Sequence, residues 1–164
     1  MEPIDFQETL LRLAAATMAG AIIGLNREVT HKPAGLRTHA LVALGAAVIT
    51  LVSVQYALGA LPREDGAVLR TVQGIVTGIG FIGGGVILRI PQTESVHGLT
   101  TAATVWIVAG LGIACGLGAW EATWVALGLA LVVLMIGNVI EKVIHKLSGK
   151  EERQGGFGPK SGNR

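Results

Sequence analysis

The chain has 164 residues, 51% of them hydrophobic and only 15% charged, with a formal net charge of +2. Soluble domains carry about 25% charged residues, and the mean hydropathy here is +0.59. The chain therefore lacks the polar groups that would cover a water-facing surface, and lipid is the better solvent for its outside. A single cysteine, Cys115, rules out an intramolecular disulfide and lies in an apolar run, where it reads as a small buried hydrophobe.

The N-terminus does not read as a signal peptide, because Glu2, Asp5 and Glu8 stand where a basic region would be needed. The first charge-free stretch, Leu13 to Asn26, has 14 residues, fewer than the roughly 20 that cross the hydrocarbon. Extended back to about Phe6, it takes in Glu8 and Arg12, an i,i+4 pair with the acid first, which suits a helix. It is predicted to span, with a helix lying in the interface as the alternative. A break follows from Arg27 to Arg37, carrying Pro33 and Gly35.

The second charge-free stretch runs from Thr38 to Pro62, and Pro62, Glu64, Asp65 and Gly66 mark the next break. The third, Thr71 to Leu88, is crowded with Gly74, Gly78, Gly80, Gly83, Gly84 and Gly85. Gly74 to Gly78 and Gly80 to Gly84 are both GxxxG spacings, so the span is predicted to be the packing centre of the bundle or of a dimer. Six glycines also weaken a helix, so a break near Gly83 to Gly85 is the competing expectation. Gly78-Ile79-Gly80-Phe81-Ile82-Gly83 satisfies the GxGxxG pattern of dinucleotide binding. That motif needs a preceding strand and an acid about 20 residues on; Val96 to Ala103 contain none, and no cofactor is expected.

Pro91 and Glu94 interrupt the chain before the fourth stretch, Ser95 to Trp120, and a very short turn at Gly116 to Glu121 leads into the fifth, Ala122 to Ile140. From Glu141 the chain is polar: Lys142, His145 and Lys146 could extend the last helix by a surface turn, and the end from Gly155 reads as disordered. The expected architecture is an all-α membrane bundle of about five transmembrane helices over residues 1–141, followed by a basic, mostly disordered tail at 142–164. With five spans, ten of the 13 Lys and Arg residues share one side with the C-terminus. Basic loops stay cytoplasmic, so the N-terminus is expected outside and the C-terminus inside.

This topology gathers polar residues from four segments at the cytoplasmic face. Asn26, Arg27 and Glu28 end the first span; Arg37, Thr38 and His39 begin the second; Arg89 ends the third; His97, Thr100 and Thr101 begin the fourth. Three arginines and two helix starts favour an anion, such as a phosphate, a lipid headgroup or a partner's carboxylate. In this reading Arg27 and Arg37 hold the ligand, Glu28 orients them, and Thr100 and Thr101 donate hydroxyl bonds. Arginines at span ends also serve as ordinary topology anchors, and an Arg27-Glu28-Arg37 ion pair holding the first two helices is a second structural account. Deeper in the bilayer, Thr100 and Thr104 are placed on one helical face. No span has a carboxylate near its middle, which argues against a dedicated Mg²⁺ path and leaves no metal site expected.

Four ordered motifs carry a family likeness: Gly24-Leu25-Asn26-Arg27-Glu28; Ala34-Gly35-Leu36-Arg37-Thr38-His39-Ala40-Leu41-Val42; Gly78-Ile79-Gly80-Phe81-Ile82-Gly83-Gly84-Gly85-Val86-Ile87; and Gly98-Leu99-Thr100-Thr101-Ala102-Ala103-Thr104-Val105-Trp106. Together with Gly110 to Gly118, they make residues 8 to 140 or so resemble the MgtC/SapB family. The resemblance implies a multi-pass protein of the bacterial cytoplasmic (inner) membrane, linked to magnesium homeostasis and stress adaptation. The preferred reading is a non-enzymatic regulator that binds another membrane protein or an anionic ligand at the cytoplasmic cluster, with no nucleic-acid partner; the resemblance implies the ATP synthase as one such membrane protein, and a homodimer or other homo-oligomer through glycine-rich faces is expected. The alternative is a transporter moving Mg²⁺ or a small anion through the third and fourth spans. The chain departs from the family pattern at Asn26, where many members carry Glu, and at Phe81 to Gly85, where Phe-Leu-Gly-Ala-Gly is commoner. Some members have Asn at the position of Thr100. Longer members add a soluble domain after the last span, where this chain has about 24 polar residues.

Overall fold

A computed structural model describes residues 4–59, 66–90 and 95–154. In chain order the elements are α1 (Phe6–Val29), α2 (Leu36–Gly59), α3 (Ala67–Gly85), β1 (Leu88–Ile90), β2 (Ser95–His97), α4 (Leu99–Leu117) and α5 (Trp120–Gln154). Each helix contains a window long and apolar enough to cross a bilayer, in α5 from Trp120 to Gly137. The five expected spans are therefore present, and the first is a full 24-residue helix rather than the 14-residue run its charge-free stretch offers.

Local chemistry explains the boundaries. Asp5 caps α1, its Oδ1 accepting the Glu8 N–H at 2.7 Å, and Glu8 then accepts from Arg12 Nε at 2.7 Å across one helical turn. At the far end of α1, the Thr30 hydroxyl donates to the Asn26 and Arg27 carbonyls. The α1–α2 connection turns tightly: His31 and Ala34 both take positive φ, 53° and 56°, a region L residues enter at a cost. α4 starts behind Gly98 at φ 90° and stops at Gly118 at φ 75°. The Gly118 and Ala119 N–H groups bond back to the Cys115 and Ala114 carbonyls.

The third helix runs unbroken to Gly85, so the glycine cluster does not interrupt it. An antiparallel two-stranded hairpin, Leu88 opposite His97 and Ile90 opposite Ser95, joins α3 to α4. Apart from the Pro91 break, no residue pattern announces it, because three-residue strands are too short to show an alternation.

The chain divides into two compact units, 1–130 and 131–164. In the first, α1, α2 and α4 pack closely on one another, and α3 lies against α2 and α4. Its interior is built from small and β-branched side chains: Ala16, Ile23, Ala43, Ala47, Val105 and Val108 are fully buried, as is Cys115. Lipid tails are as apolar as these side chains, so close backbone approach rather than apolar burial holds such helices together. The second unit is the later part of α5. It stays helical through Gln154, beyond the surface turn expected around Lys146. Residues 155–164, expected to be disordered, lie outside the described residues.

Candidate functional site

The end of α1, the start of α2 and the start of α4 meet at one end of the first unit. Arg27 is brought inside this junction and is only 2% exposed. Its Nη2 donates to Thr101 Oγ1 on α4. The position in the last turn of α1 suits a cation. One turn further along α4, Thr104 Oγ1 is 3.0 Å from His39 Nε2 and donates to the Thr101 carbonyl at 2.9 Å. The other ring nitrogen of His39, Nδ1, lies 3.0 Å from the Gly35 carbonyl. Two side-chain pairs, Arg27–Thr101 and His39–Thr104, thus tie α1 and α2 to the same face of α4.

This is possible because the backbones are very close. A Cβ on Gly20 would sit 2.5 Å from the His39 carbonyl oxygen, and one on Gly24 would sit 2.6 Å from Leu36 Cα. From α4, a Cβ on Gly112 would collide with the Ala43 carbonyl, and one on Gly116 would lie 2.8 Å from that of Ala47.

Outside the buried pairs lies an open cavity of about 570 Å³, lined by Glu28, His31, Lys32, Leu36, Arg37 and Thr38. Arg37 and Thr38 are exposed, as is Glu28. Glu28 Oε2 accepts the Leu36 N–H at 3.0 Å, so the residue expected to orient Arg27 and Arg37 acts as a cap on the first turn of α2. The chain's own carboxylate therefore already occupies the helix start that was expected to attract a foreign anion. The rim keeps its cationic balance through Lys32 and Arg37.

The remaining expected site residues separate. Thr100 is exposed while Thr101 and Thr104 are buried. The inward face of α4 is thus the Thr101/Thr104 pair, three residues apart, and the expected pairing of Thr100 with Thr104 gives way to it. Arg89 and His97 are in the hairpin strands, where Arg89 pairs with Val96 and His97 with Leu88; their side chains lie outside the described ones. Thr104, Lys32 and His31 were not among the expected site residues. The short Thr101-Ala102-Ala103-Thr104 spacing was the available signal for the first, and the basic composition of the α1–α2 connection for the other two. Among the described residues, no three of His, Cys, Asp and Glu stand together as a metal site would require.

The glycines of α3 behave differently from those of α1 and α4. A Cβ at Gly74, Gly78, Gly80, Gly84 or Gly85 would meet nothing within 4 Å, and one at Gly83 would meet only Ala102, at 3.8 Å. The close packing expected at α3 is therefore found within this chain at Gly20, Gly24, Gly112 and Gly116 instead.

The motifs around Arg27, Arg37 and Thr101 can be compared with known proteins. The family model described as the MgtC family matches residues 13–143. The chain belongs to the MgtC family. Among its relatives, protein SrpB of Synechococcus elongatus is 45% identical over 123 residues, covering 71% of this chain and 68% of SrpB. Protein MgtC of Salmonella typhimurium is 47% identical over 112 residues, 68% of this chain and 45% of that protein. Protein SapB of Bacillus subtilis is 41% identical over 116 residues, 70% of this chain and 50% of that protein. The chain thus spans about two thirds of SrpB but about half of MgtC and SapB. No solved structure matches it. Membership of the MgtC family agrees with the multi-pass membrane architecture and with the likeness carried by the four motifs.

Proposed function

We propose that this MgtC-family protein is a non-enzymatic membrane regulator supporting magnesium homeostasis or stress adaptation. It acts by binding an anionic ligand or a membrane partner at the rim formed by α1, α2 and α4. The observation that carries this reading is the buried Arg27, held on Thr101, whose chain neighbour Glu28 lines a cavity edged by Lys32 and Arg37. A guanidinium sequestered between membrane helices is costly and is characteristically kept for a task, and guanidinium groups favour carboxylate and phosphate oxygens. In the proposed arrangement the rim is cytoplasmic. Lys32 and Arg37 make first contact, and the Arg27–Thr101 and His39–Thr104 pairs fix the angle at which the rim is presented. Assembly into a homo-oligomer in a bacterial cytoplasmic membrane belongs to the same proposal.

The test combines growth and transport. In a strain lacking its own copy, wild-type protein should restore growth at limiting magnesium, and Arg37→Ala should not, while accumulating in the membrane to the same level. Liposomes containing only this protein and an internal Mg²⁺ indicator should show no uptake. Uptake in the absence of any partner would establish the transporter reading instead, and failure of Arg37→Ala to accumulate would reduce Arg37 to a topology anchor.

A further inference from the structure

Between the first half of α2 and the length of α3 from Thr71 to Ile82 runs a long trough. Its body is apolar, about 710 Å³, walled by Ile49, Ile75 and Ile82 and floored by Gly45, Gly74 and Gly78. None of those three glycines has an atom within 4 Å of where a Cβ would stand, so the trough is deep because three side chains are missing. One end of it is continuous with a second cavity of about 630 Å³, more polar than the first: Ile49 and Thr71 line both, and Val52, Ser53, Tyr56, Ala67 and Arg70 complete the second. The Thr71 hydroxyl donates to Ser53 Oγ at 2.9 Å, bracing the two helices where the two cavities meet.

We propose that this trough binds one anionic phospholipid, with an acyl chain along the glycine floor and the phosphate at Arg70 and Tyr56. Charge supports this occupant. Arg70 curls back over the start of α3, its Nη1 2.8 Å from the Cβ position of Gly66. That helix start has neither a side-chain cap nor an acid in its first turn, and the N-terminal end of a helix dipole favours an anion. Arg63, Glu64 and Asp65 precede it in sequence, outside the described residues. Depth supports it too. Tyr56 and Arg70 lie at the ends of their helices, where headgroups sit.

Length supports a lipid as well. From Arg70 to Ile82 the α3 wall rises about 18 Å at 1.5 Å per residue. One leaflet of hydrocarbon is about 15 Å, so the trough takes an acyl chain over its whole length. The trough and the cationic rim share α2 but no lining residue, so the site stands or falls independently of the proposed regulatory role.

The test uses the full chain in detergent, stripped of lipid. It is titrated with palmitoyl-oleoyl phosphatidylglycerol and, separately, with phosphatidylcholine of the same chains, and bound lipid is counted by native mass spectrometry. The wild type should retain one phosphatidylglycerol per chain, about five-fold more tightly than phosphatidylcholine, the preference one arginine near a headgroup confers. Arg70→Gln should erase the preference but keep the phosphatidylcholine-level binding. Gly78→Leu and, from the α2 side, Gly45→Leu should each remove retention of both lipids, while Gly110→Leu, at an open glycine outside the trough, should leave both unchanged. Equal retention of the two lipids by the wild type would overturn the proposal as annular binding only. So would unchanged retention in both filled-trough variants, or a dimer that Gly78→Leu separates without changing lipid retention, which would make a second copy the occupant.

Discussion

The α1–α2–α4 cluster and the α3 helix use the same small-residue spacing to opposite effect. Gly20 and Gly24 on α1 and Gly112 and Gly116 on α4 are both GxxxG pairs, and each pair presses on α2. Gly74 and Gly78 on α3 repeat the spacing and touch nothing. A GxxxG pair makes close approach permissible; whether a neighbour takes up the offer depends on what lies opposite. Opposite α1 and α4 stand Leu36, His39, Ala43 and Ala47 of α2, which offer small side chains and main-chain atoms at the points of contact. Opposite Gly74 and Gly78 is a void between α2 and α3.

The sharpest way to break this contrast is alanine substitution at the two kinds of glycine. Gly112→Ala would set a methyl against the Ala43 carbonyl and force α2 and α4 apart, at a cost of about 3 kcal/mol or more. Gly74→Ala fills open space and removes a helix-interior glycine, so it should stabilise α3 by up to about 1 kcal/mol. Melting of the detergent-solubilised protein, followed by the fraction that stays monodisperse after heating, should fall steeply for the first variant and hold or rise for the second. Matching losses would mean that α3 packs as tightly as α1 and α4.

Hydroxyl deletion probes the same contrast at smaller scale. Thr101→Val takes an acceptor from the buried Arg27 guanidinium and should cost about 1–3 kcal/mol. Thr77 is exposed on α3 and only bonds the Gln73 carbonyl of its own helix, so Thr77→Val should leave the melting point where it was. The smallest effect concerns the start of α2. Glu28→Ala removes the carboxylate from the Leu36 N–H and should cost about 1 kcal/mol. Faster amide exchange confined to the first turn of α2 would report it, and Glu28→Gln should restore most of the protection.

Much of this arrangement could be read from the chain alone. Five runs without Asp, Glu, Lys or Arg, punctuated by Pro33, Pro62 and Pro91, set the number of spans because an uncompensated charge or an open backbone group in hydrocarbon is too costly to hide. The Glu8–Arg12 pair and the burial of Cys115 were also legible, since both depend on near neighbours along one helix or on plain apolarity. Arg27 could be placed at the end of the first span, because it is the first charge after a hydrophobic run. Nothing near it in the chain says that it turns inward.

Tertiary structure decided the rest. Periodicity places Thr100 and Thr104 on one face, yet whether a helix shows that face or the one centred on Thr101 to its neighbours is a small rotation about the helix axis, set by packing against α1 and α2. The role of Glu28 follows from how the α1–α2 turn folds back, through the left-handed residues His31 and Ala34, and no local pattern announces it. The glycines of α3 invited the same reading as those of α1 and α4. In lipid, where apolar burial gives no direction to association, only the backbone geometry of the neighbouring helix separates a packing seam from an open trough.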